Sequence, residues 1–331
     1  MLRRAVIFGE RSGGTGEEGR VSEQRVIMRA EFPPIDQPKP ARAMDRKRAD
    51  LFRETPLETC ERWVLGTAWA LRPKRIAALV PLTRACVAHL VAGSQSLPDA
   101  GALGDACELV GIAGDLSPHT LMDAYASGLF PHGHFGPVKW FSPVDRAVVP
   151  LDDFHISGRL RSIMRQGRYR VTFDQNFEDV IKGCAGRRQG RPHLTWITPR
   201  IMRAYARLFD EGHVHSFEVW NKDGSLAGGG YGVAVGRVFV IESQFFRESN
   251  ASKIGFAVLA WHLAKWGFVL ADNKWLTPTT AQMGFREMPR PEYLKRLAAL
   301  SGETVRPGRW EAEADTKAVA DWRPTPTVSR G

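Results

Sequence analysis

The pattern of apolar and polar positions separates a weakly patterned first third of the chain from a strongly patterned body that begins near Val110. In the first third, apolar residues recur at helical spacing within residues 51–93, which predicts one or two helices ahead of the body. The segment before them carries four prolines between residues 31 and 42 and a charged run at residues 46–48. We therefore expect that leading segment to be flexible.

Inside the body, the hydrophobic period alternates between that of a helix and that of a strand. Helical spacing bounded by capping residues and glycines predicts helices at residues 118–127, 157–165, 177–184, 199–209 and 251–266. Alternating apolar residues predict strands at residues 169–173, 216–220, 226–235, 237–245 and 268–272, with an Asp-Gly turn between the second and the third. Residues 130–143, which are rich in glycine, proline and aromatic residues, are predicted to form a loop.

This order of elements predicts an α+β fold built around one mixed sheet. We expect a partly flexible N-terminal extension at residues 1–98, a small N-terminal domain at 99–155, a catalytic domain at 156–300 and a tail at 301–331. In the catalytic domain, the order of strand meander, central helix and further strand resembles the acyl-CoA-dependent N-acyltransferases. The turn after the meander, residues 246–253, contains no glycine to hold the pyrophosphate of coenzyme A, so we expect no cofactor.

Composition and charge narrow the choice of partners and compartment. A net charge of +10 and a pI near 9.7 favour an anionic partner, either a nucleic acid or an acidic surface. The four cysteines form no CxxC pair, and no apolar run reaches the roughly 18 residues of a membrane span, so we expect a cytoplasmic protein without a signal peptide. His213 and His215 alternate along a predicted strand without a convincing third ligand, so we expect no metal.

A series of short motifs runs in order through residues 111–300. They are Gly114-Asp115-Leu116-Ser117-Pro118, Gly128-Leu129-Phe130-Pro131, Trp140-Phe141-Ser142-Pro143, Thr195-Trp196-Ile197-Thr198, Gly212-His213-Val214-His215-Ser216, Glu242-Ser243, Asn250-Ala251-Ser252-Lys253 and Pro289-Arg290. In this order they resemble the leucyl/phenylalanyl-tRNA-protein transferase family.

The resemblance implies transfer of an apolar aminoacyl group, such as Leu, Phe or Met, from aminoacyl-tRNA to the α-amine of a protein that begins with Lys or Arg. That chemistry needs an apolar pocket for the aminoacyl side chain and aromatic surfaces to stack the terminal adenosine. It also needs an acidic group to attract the cationic acceptor, and polar groups to manage the amine proton and the developing oxyanion. The implied partners are aminoacyl-tRNA and proteins with an N-terminal Lys or Arg.

The resemblance also implies which side chains meet these needs. The expected lining of the aminoacyl pocket is Gly230, Phe239, Phe256, Leu259 and Leu263. The expected adenosine contacts are Trp196 and His132, and the expected catalytic group is Asp272, Lys274 and Glu242.

Three of the expected site residues depart from the family pattern, and Thr279 stands where the family usually has histidine. His132 stands where the family has tryptophan, Gly230 where it has methionine, and Lys274 where it has the glutamine that follows two residues after Asp272. A charged lysine donates hydrogen bonds but accepts none, and it would repel a cationic acceptor. Either a nearby carboxylate such as Asp272 neutralises Lys274, or burial lowers its pKa until it acts as a base, or the family's reaction is lost.

Two other functions therefore stay open. The chain could be a repurposed relative that binds tRNA or basic N-termini without transfer, as Lys274, His132 and the added N-terminal region suggest. It could also be an acyltransferase that uses a different donor, against which the absent glycine loop argues.

Overall fold

The structure is a computed structural model that describes residues 48–72, 83, 86–87, 97–101, 108–133, 136–187, 193–303 and 305–324. The leading segment that we expected to be flexible lies outside these residues up to residue 47, and Arg48 at its end is buried. None of the described helices combines the length and the apolar character needed to cross a membrane.

The described residues form helices and strands. The helices are α1 Pro56–Ala70, α2 Pro118–Ala126, α3 Gly158–Arg165, α4 Phe177–Ala185, α5 Pro199–Asp210, α6 Ala251–Lys265, α7 Pro278–Ala281, α8 Arg290–Leu300 and α9 Thr316–Ala320. The strands are β1 Leu109–Ile112, β2 Phe130–His132, β3 Lys139–Phe141, β4 Asp145–Pro150, β5 Arg170–Phe173, β6 Val214–Trp220, β7 Leu226–Val235, β8 Val238–Phe246, β9 Leu270–Lys274 and β10 Arg286–Pro289.

Seven strands form one mixed sheet in the order β10-β4-β9-β8-β7-β6-β5. All neighbours are antiparallel except β8 and β9, which run parallel because α6 carries the chain back between them. The predicted α+β fold with a mixed sheet is confirmed, including the meander and the long helix that follows it.

A second sheet, in the order β1-β3-β2, lies in the expected small N-terminal domain. The prediction of a loop over residues 130–143 is wrong at both ends, since β2 and β3 pair there through Phe130 with Phe141 and His132 with Lys139. Strand β4 follows directly and pairs with β9 and β10 of the large sheet. The domain boundaries themselves stay a prediction.

Each face of the large sheet carries its own hydrophobic core. Along β8, Val238 and Val240 belong to the core that contains α2, α4 and α5, whereas Phe239 and Ile241 belong to the core that contains α3, α6 and α9. We call these the α5 face and the α6 face. Burying one such side chain stabilises the fold by about 1.5–3 kcal/mol.

Residues just before α1 fix the N-terminal extension to the α5 face. The guanidinium of Arg48 lies 2.7 Å from the carboxylate of Glu178 on α4 and 2.5 Å from that of Asp210 at the end of α5. Phe52 is buried in the same core. Helix α1 then begins with a capping box in which Thr55 and Glu58 satisfy each other's backbone N–H groups.

The tail crosses the α6 face. The indole of Trp310 stacks on the ring of His215 with the two planes 4° apart and the ring centres 3.5 Å apart. Farther along, Nε2 of His262 on α6 accepts backbone N–H bonds from Glu313 and Ala314. Residues 305–324 are therefore part of the packed structure.

Candidate functional site

Two buried charges meet where β8 and β9 run side by side. The Lys274 ammonium lies 3.1 Å from Oε1 of Glu242 and donates a hydrogen bond of 3.1 Å to the backbone carbonyl of the same residue. The contact with Oε1 lacks hydrogen-bond geometry, so it is an electrostatic contact at ion-pair distance. Both side chains are almost fully buried. Neither can lose its partner without leaving a buried charge uncompensated.

Backbone irregularities aim these two side chains at each other. The register between β7 and β8 shifts between Tyr231 and Gly232, which places Glu242 in a bulge. Lys274 has a positive φ of 67°, a left-handed conformation that costs a lysine about 1–3 kcal/mol. Its backbone N–H donates to Oδ1 of Asp272 at 2.7 Å, which holds the turn. Bulges and left-handed residues are common where a functional side chain is re-aimed.

Burial lowers the pKa of Lys274 although the charge of Glu242 opposes that shift. The ammonium also lies 5.2 Å from the ring centre of Phe130 and 5.7 Å from that of Trp196, within the range of a cation–π contact. A carboxylate and two aromatic rings thus surround the cation. Neutralisation of Lys274 comes from Glu242, not from the side chain of Asp272.

Two buried tyrosines form a hydrogen-bonded chain that ends at the carboxylate of Glu242. The hydroxyl of Tyr205 on α5 donates to Oε2 of Glu242 at 2.9 Å, and the hydroxyls of Tyr125 and Tyr205 are hydrogen-bonded to each other. Burial, reinforced by the negative charge of Glu242, raises the pKa of Tyr125, Tyr205 and Tyr231 well above the ordinary value. These phenols therefore stay protonated, and Tyr205 serves as a hydrogen-bond donor. Tyr205 was not predicted as a site residue, because in the sequence it is one more apolar position of a helix.

Asp272 is fully buried, and its carboxylate accepts hydrogen bonds from Arg146 and Tyr293. Nε of Arg146 donates to both of its oxygens at 3.0 and 2.8 Å, and the hydroxyl of Tyr293 donates to Oδ2 at 2.8 Å. Burial alone would lower the pKa of Arg146, but the negative charge of Asp272 raises that pKa above its usual value. The carboxylate of Asp272 thus fixes β4 and α8 against β9 and does not contact the Lys274 ammonium.

The two expected adenosine contacts lie together at the edge of this site. The rings of His132 and Trp196 have centres 5.2 Å apart, and Trp275 lies 5.4 Å from His132. His132 and Trp196 are partly exposed, as a stacking surface must be. Trp275 and Phe130 extend this aromatic cluster and were not singled out from the sequence. The sequence could have indicated Trp275 as a site residue because it directly follows Lys274.

The five expected pocket residues lie on the α6 face, away from the Lys274 ammonium. Four of them, Phe239, Phe256, Leu259 and Leu263, are completely buried in that core. The fifth, Gly230, has the ring of Phe217 so close that an added Cβ would approach it to 2.7 Å. The space that a methionine would fill at Gly230 is thus occupied by Phe217.

Of the two histidines considered as metal ligands, His215 has another partner. Its Nδ1 contacts the carboxylate of Asp174 at 2.7 Å. Among the described residues, no three His, Cys, Asp or Glu side chains are grouped so that they could hold a metal ion.

The mixed sheet, its crossover helix and the polar site between the parallel strands β8 and β9 are the features expected of an α+β acyltransferase. A family model described as "Leucyl/phenylalanyl-tRNA protein transferase" matches residues 148–298, and the model of that family's N-terminal domain matches residues 114–144. The chain belongs to this family, and the resemblance inferred from its motifs is confirmed.

Proteins named leucyl/phenylalanyl-tRNA–protein transferase are similar to most of the body. One from Anaeromyxobacter sp. (strain Fw109-5) is 44% identical over 221 residues, which cover 66% of this chain and 93% of that protein. One from Pseudomonas syringae pv. syringae (strain B728a) is 46% identical over 191 residues, covering 57% and 82%. The solved structure of L-PGS from Bacillus licheniformis shares 10% identity over 48% of this chain and 65% of that chain, with a TM-score of 0.30.

Proposed function

We propose that this protein transfers an apolar aminoacyl group, such as Leu, Phe or Met, from aminoacyl-tRNA to the N-terminal Lys or Arg of a protein. The observation that carries the proposal is that the family match spans Trp196, Glu242 and Lys274, which converge on one buried polar site. Aminoacyl-tRNA is a cytoplasmic substrate, so we infer a cytoplasmic location.

The reaction is an aminolysis of the ester that joins the aminoacyl group to the tRNA. The amine nitrogen of the acceptor forms a bond to the ester carbonyl carbon, the bond from that carbon to the ribose oxygen breaks, and the amine proton ends on the released hydroxyl. In our proposal the carboxylate of Glu242 attracts the cationic acceptor, and the ammonium of Lys274 stabilises the oxyanion that develops on the carbonyl. Both effects are strengthened because the pair is buried away from water.

We further propose that His132 and Trp196 stack the terminal adenosine, since the Trp196 ring lies 5.7 Å from the Lys274 ammonium and the His132 ring lies beside that of Trp196. The aminoacyl pocket expected at Gly230 and Phe239 stays a prediction, because both residues lie on the α6 face, away from the Lys274 ammonium.

A direct transfer assay tests the proposal. Purified full-length protein is incubated with radiolabelled leucyl-tRNA and a peptide that begins with Arg, and we expect label at the N-terminus of the peptide. A matched peptide that begins with Glu should remain unlabelled, because Glu242 would repel it. Absence of label from leucyl-, phenylalanyl- and methionyl-tRNA alike would contradict the proposal.

One observation favours a second function, a relative that binds tRNA or basic N-termini without transfer. Lys274 fills the position beside Glu242 with a cation of the chain itself, so an incoming acceptor has to compete with it. This alternative predicts tRNA binding without peptide labelling in the same assay. It also predicts that Lys274→Gln creates transfer, because the substitution removes the competing charge and restores a hydrogen-bond acceptor.

A further inference from the structure

The outward side of α5 carries a row of three exposed arginines. Arg200, Arg203 and Arg207 stand at positions i, i+3 and i+7, which places them within one third of the helix circumference over about 10 Å of its axis. We call these three residues the arginine row. It begins two residues after Thr198, the N-cap of α5, and Thr198 follows the aromatic Trp196 by two residues.

Neighbouring carboxylates do not cancel the charge of this row. Asp210, at the end of α5, is already paired with Arg48 at 2.5 Å and lies 3.8 Å from Arg309. Arg200 donates to the backbone carbonyl of Gly114 at 2.6 Å, a contact that fixes its guanidinium without neutralising it. Glu211, one turn after Arg207, reduces the positive charge of the three arginines but does not remove it.

A cavity lies where the row begins. Its volume is about 300 Å³, and its walls include Pro199 and Arg200 from α5, Val138 from the segment between β2 and β3, and Glu54 and Arg62 from the N-terminal extension. The carboxylate of Glu54 holds the Arg62 guanidinium through hydrogen bonds of 2.9 and 3.1 Å. The apolar side chains of Pro137, Val138 and Pro199 beside the paired Glu54 and Arg62 suit a nucleobase, which combines apolar faces with hydrogen-bonding edges.

Two lining residues place this cavity next to the aromatic surface described above. Gly133, which lines the cavity, directly follows His132, and Thr198, which also lines it, follows Trp196 by two residues. A strand whose terminal base stacks on His132 and Trp196 therefore passes the cavity first and the arginine row next. Guanidinium groups are well suited to contacting the phosphates of such a strand.

We propose that the single-stranded 3′ end of the tRNA follows this path, with a base next to the terminal adenosine in the cavity and the following phosphates on the arginine row. The inference rests on the proposed function for its ligand, tRNA, and goes beyond it by giving the N-terminal extension a part in binding. Glu54 and Arg62 precede residue 114, where the family match begins, so this part of the site is a feature of the extension.

Binding of deacylated tRNA to the full-length protein, measured at several KCl concentrations, tests the arginine row. We expect Arg203→Ala and Arg207→Ala each to weaken binding about 5-fold at 0.1 M salt and to lower the salt slope by about 0.7 for each lost phosphate contact. The control is Arg296→Ala, which removes an exposed arginine from α8 and should leave binding unchanged. Equal binding by the wild type and by the Arg203→Ala/Arg207→Ala double variant would overturn the path.

Trimmed tRNA tests the cavity. The wild type should bind tRNA that lacks its last two nucleotides more weakly than intact tRNA, and Arg62→Ala should weaken binding of intact tRNA but not of trimmed tRNA. Arg62→Lys, which keeps the charge but not the planar fork, should resemble Arg62→Ala if the contact is to a base edge. A loss that is the same for both tRNAs would contradict the cavity assignment.

These outcomes separate the inference from the proposed function. Binding needs no transfer, so the path can be tested even if peptide labelling fails. If the wild type shows no affinity for tRNA at low salt, the proposed function fails together with the inference. If polyglutamate competes as well as tRNA for the arginine row, the surface recognises an acidic protein, and the tRNA path is wrong.

Discussion

The environment of Lys274 depends on contacts that no local pattern contains. The sequence places a lysine two residues after an aspartate at the end of a strand, and it suggests Asp272 as the neutralising group. In the fold, Asp272 is bound by Arg146, 126 residues away, and Lys274 is paired with Glu242 on the neighbouring strand. The bulge at Glu242 and the positive φ of Lys274 decide this pairing, and both are set by tertiary structure.

Replacing Lys274 tests its proposed role. If its ammonium stabilises the oxyanion, Lys274→Gln should lower kcat for transfer to an Arg-initiated peptide by about 10²-fold, since a neutral amide stabilises a developing negative charge less well. Lys265→Gln, which changes an exposed lysine on α6, is the matched control. An increase in kcat for Lys274→Gln would mean that the lysine disables an inherited site.

Glu218 gives the stability of the protein a pH dependence. Its buried carboxyl accepts hydrogen bonds from the hydroxyls of Thr172 and Ser216, and burial raises its pKa to about 7 from an ordinary 4.5. The folded state thus holds this proton more tightly than the unfolded state does. The stabilising contribution is complete below pH 4.5 and is lost as the pH rises through 7.

Urea unfolding at pH 5 and pH 8 checks this direction. Between these values the wild type should lose up to about 3 kcal/mol of unfolding free energy relative to Glu218→Gln, because the amide does not titrate. Parallel pH profiles for the two proteins would show that Glu218 is not the titrating group.

At the scale of elements, the long and regularly patterned segments were predictable. The strands expected at 226–235 and 237–245 and the helix at 251–266 agree with β7, β8 and α6 to within one residue. The strands β2 and β3 were missed because they are three residues long and lie among glycines and prolines. Such strands exist through pairing with a partner, which local propensity does not report.

The tail should loosen from α6 in mild acid. Burial lowers the pKa of His262, whose Nε2 accepts two backbone N–H bonds only while the ring is neutral. Because the unfolded histidine binds its proton more readily, this contribution to stability is complete above pH 6.5 and is lost as the pH falls through the lowered pKa.

Hydrogen exchange measures that change at the two amides concerned. The protection factors of the Glu313 and Ala314 amides should fall between pH 7.5 and pH 5, because a protonated His262 ring no longer accepts their N–H bonds. The Val233 amide in the central sheet is the internal control. Unchanged protection at Glu313 and Ala314 would contradict a role for His262 in holding the tail.

At the scale of the whole molecule, the N-terminal extension and the body meet through buried charges. Arg48 precedes the segment with helical spacing, and the sequence alone gave no reason to separate it from the charged run at 46–48. In the fold its guanidinium joins α4 to the end of α5, while Phe52 fills the adjoining core. This contact also fixes the start of the segment that carries Glu54 and Arg62 to the cavity beside α5.

If the extension is part of the cooperative fold, Arg48→Ala should lower the unfolding free energy by about 3 kcal/mol, because it leaves the buried Glu178 carboxylate without its cation. Arg53→Ala, at an exposed position five residues later, should change it by less than about 0.5 kcal/mol. Urea unfolding followed by fluorescence and by circular dichroism should give one coincident transition for both variants. If Arg48→Ala resembles Arg53→Ala, or if the extension unfolds in a separate earlier transition, it cannot hold Arg62 rigidly at the cavity, and the path proposed for the tRNA strand loses its support.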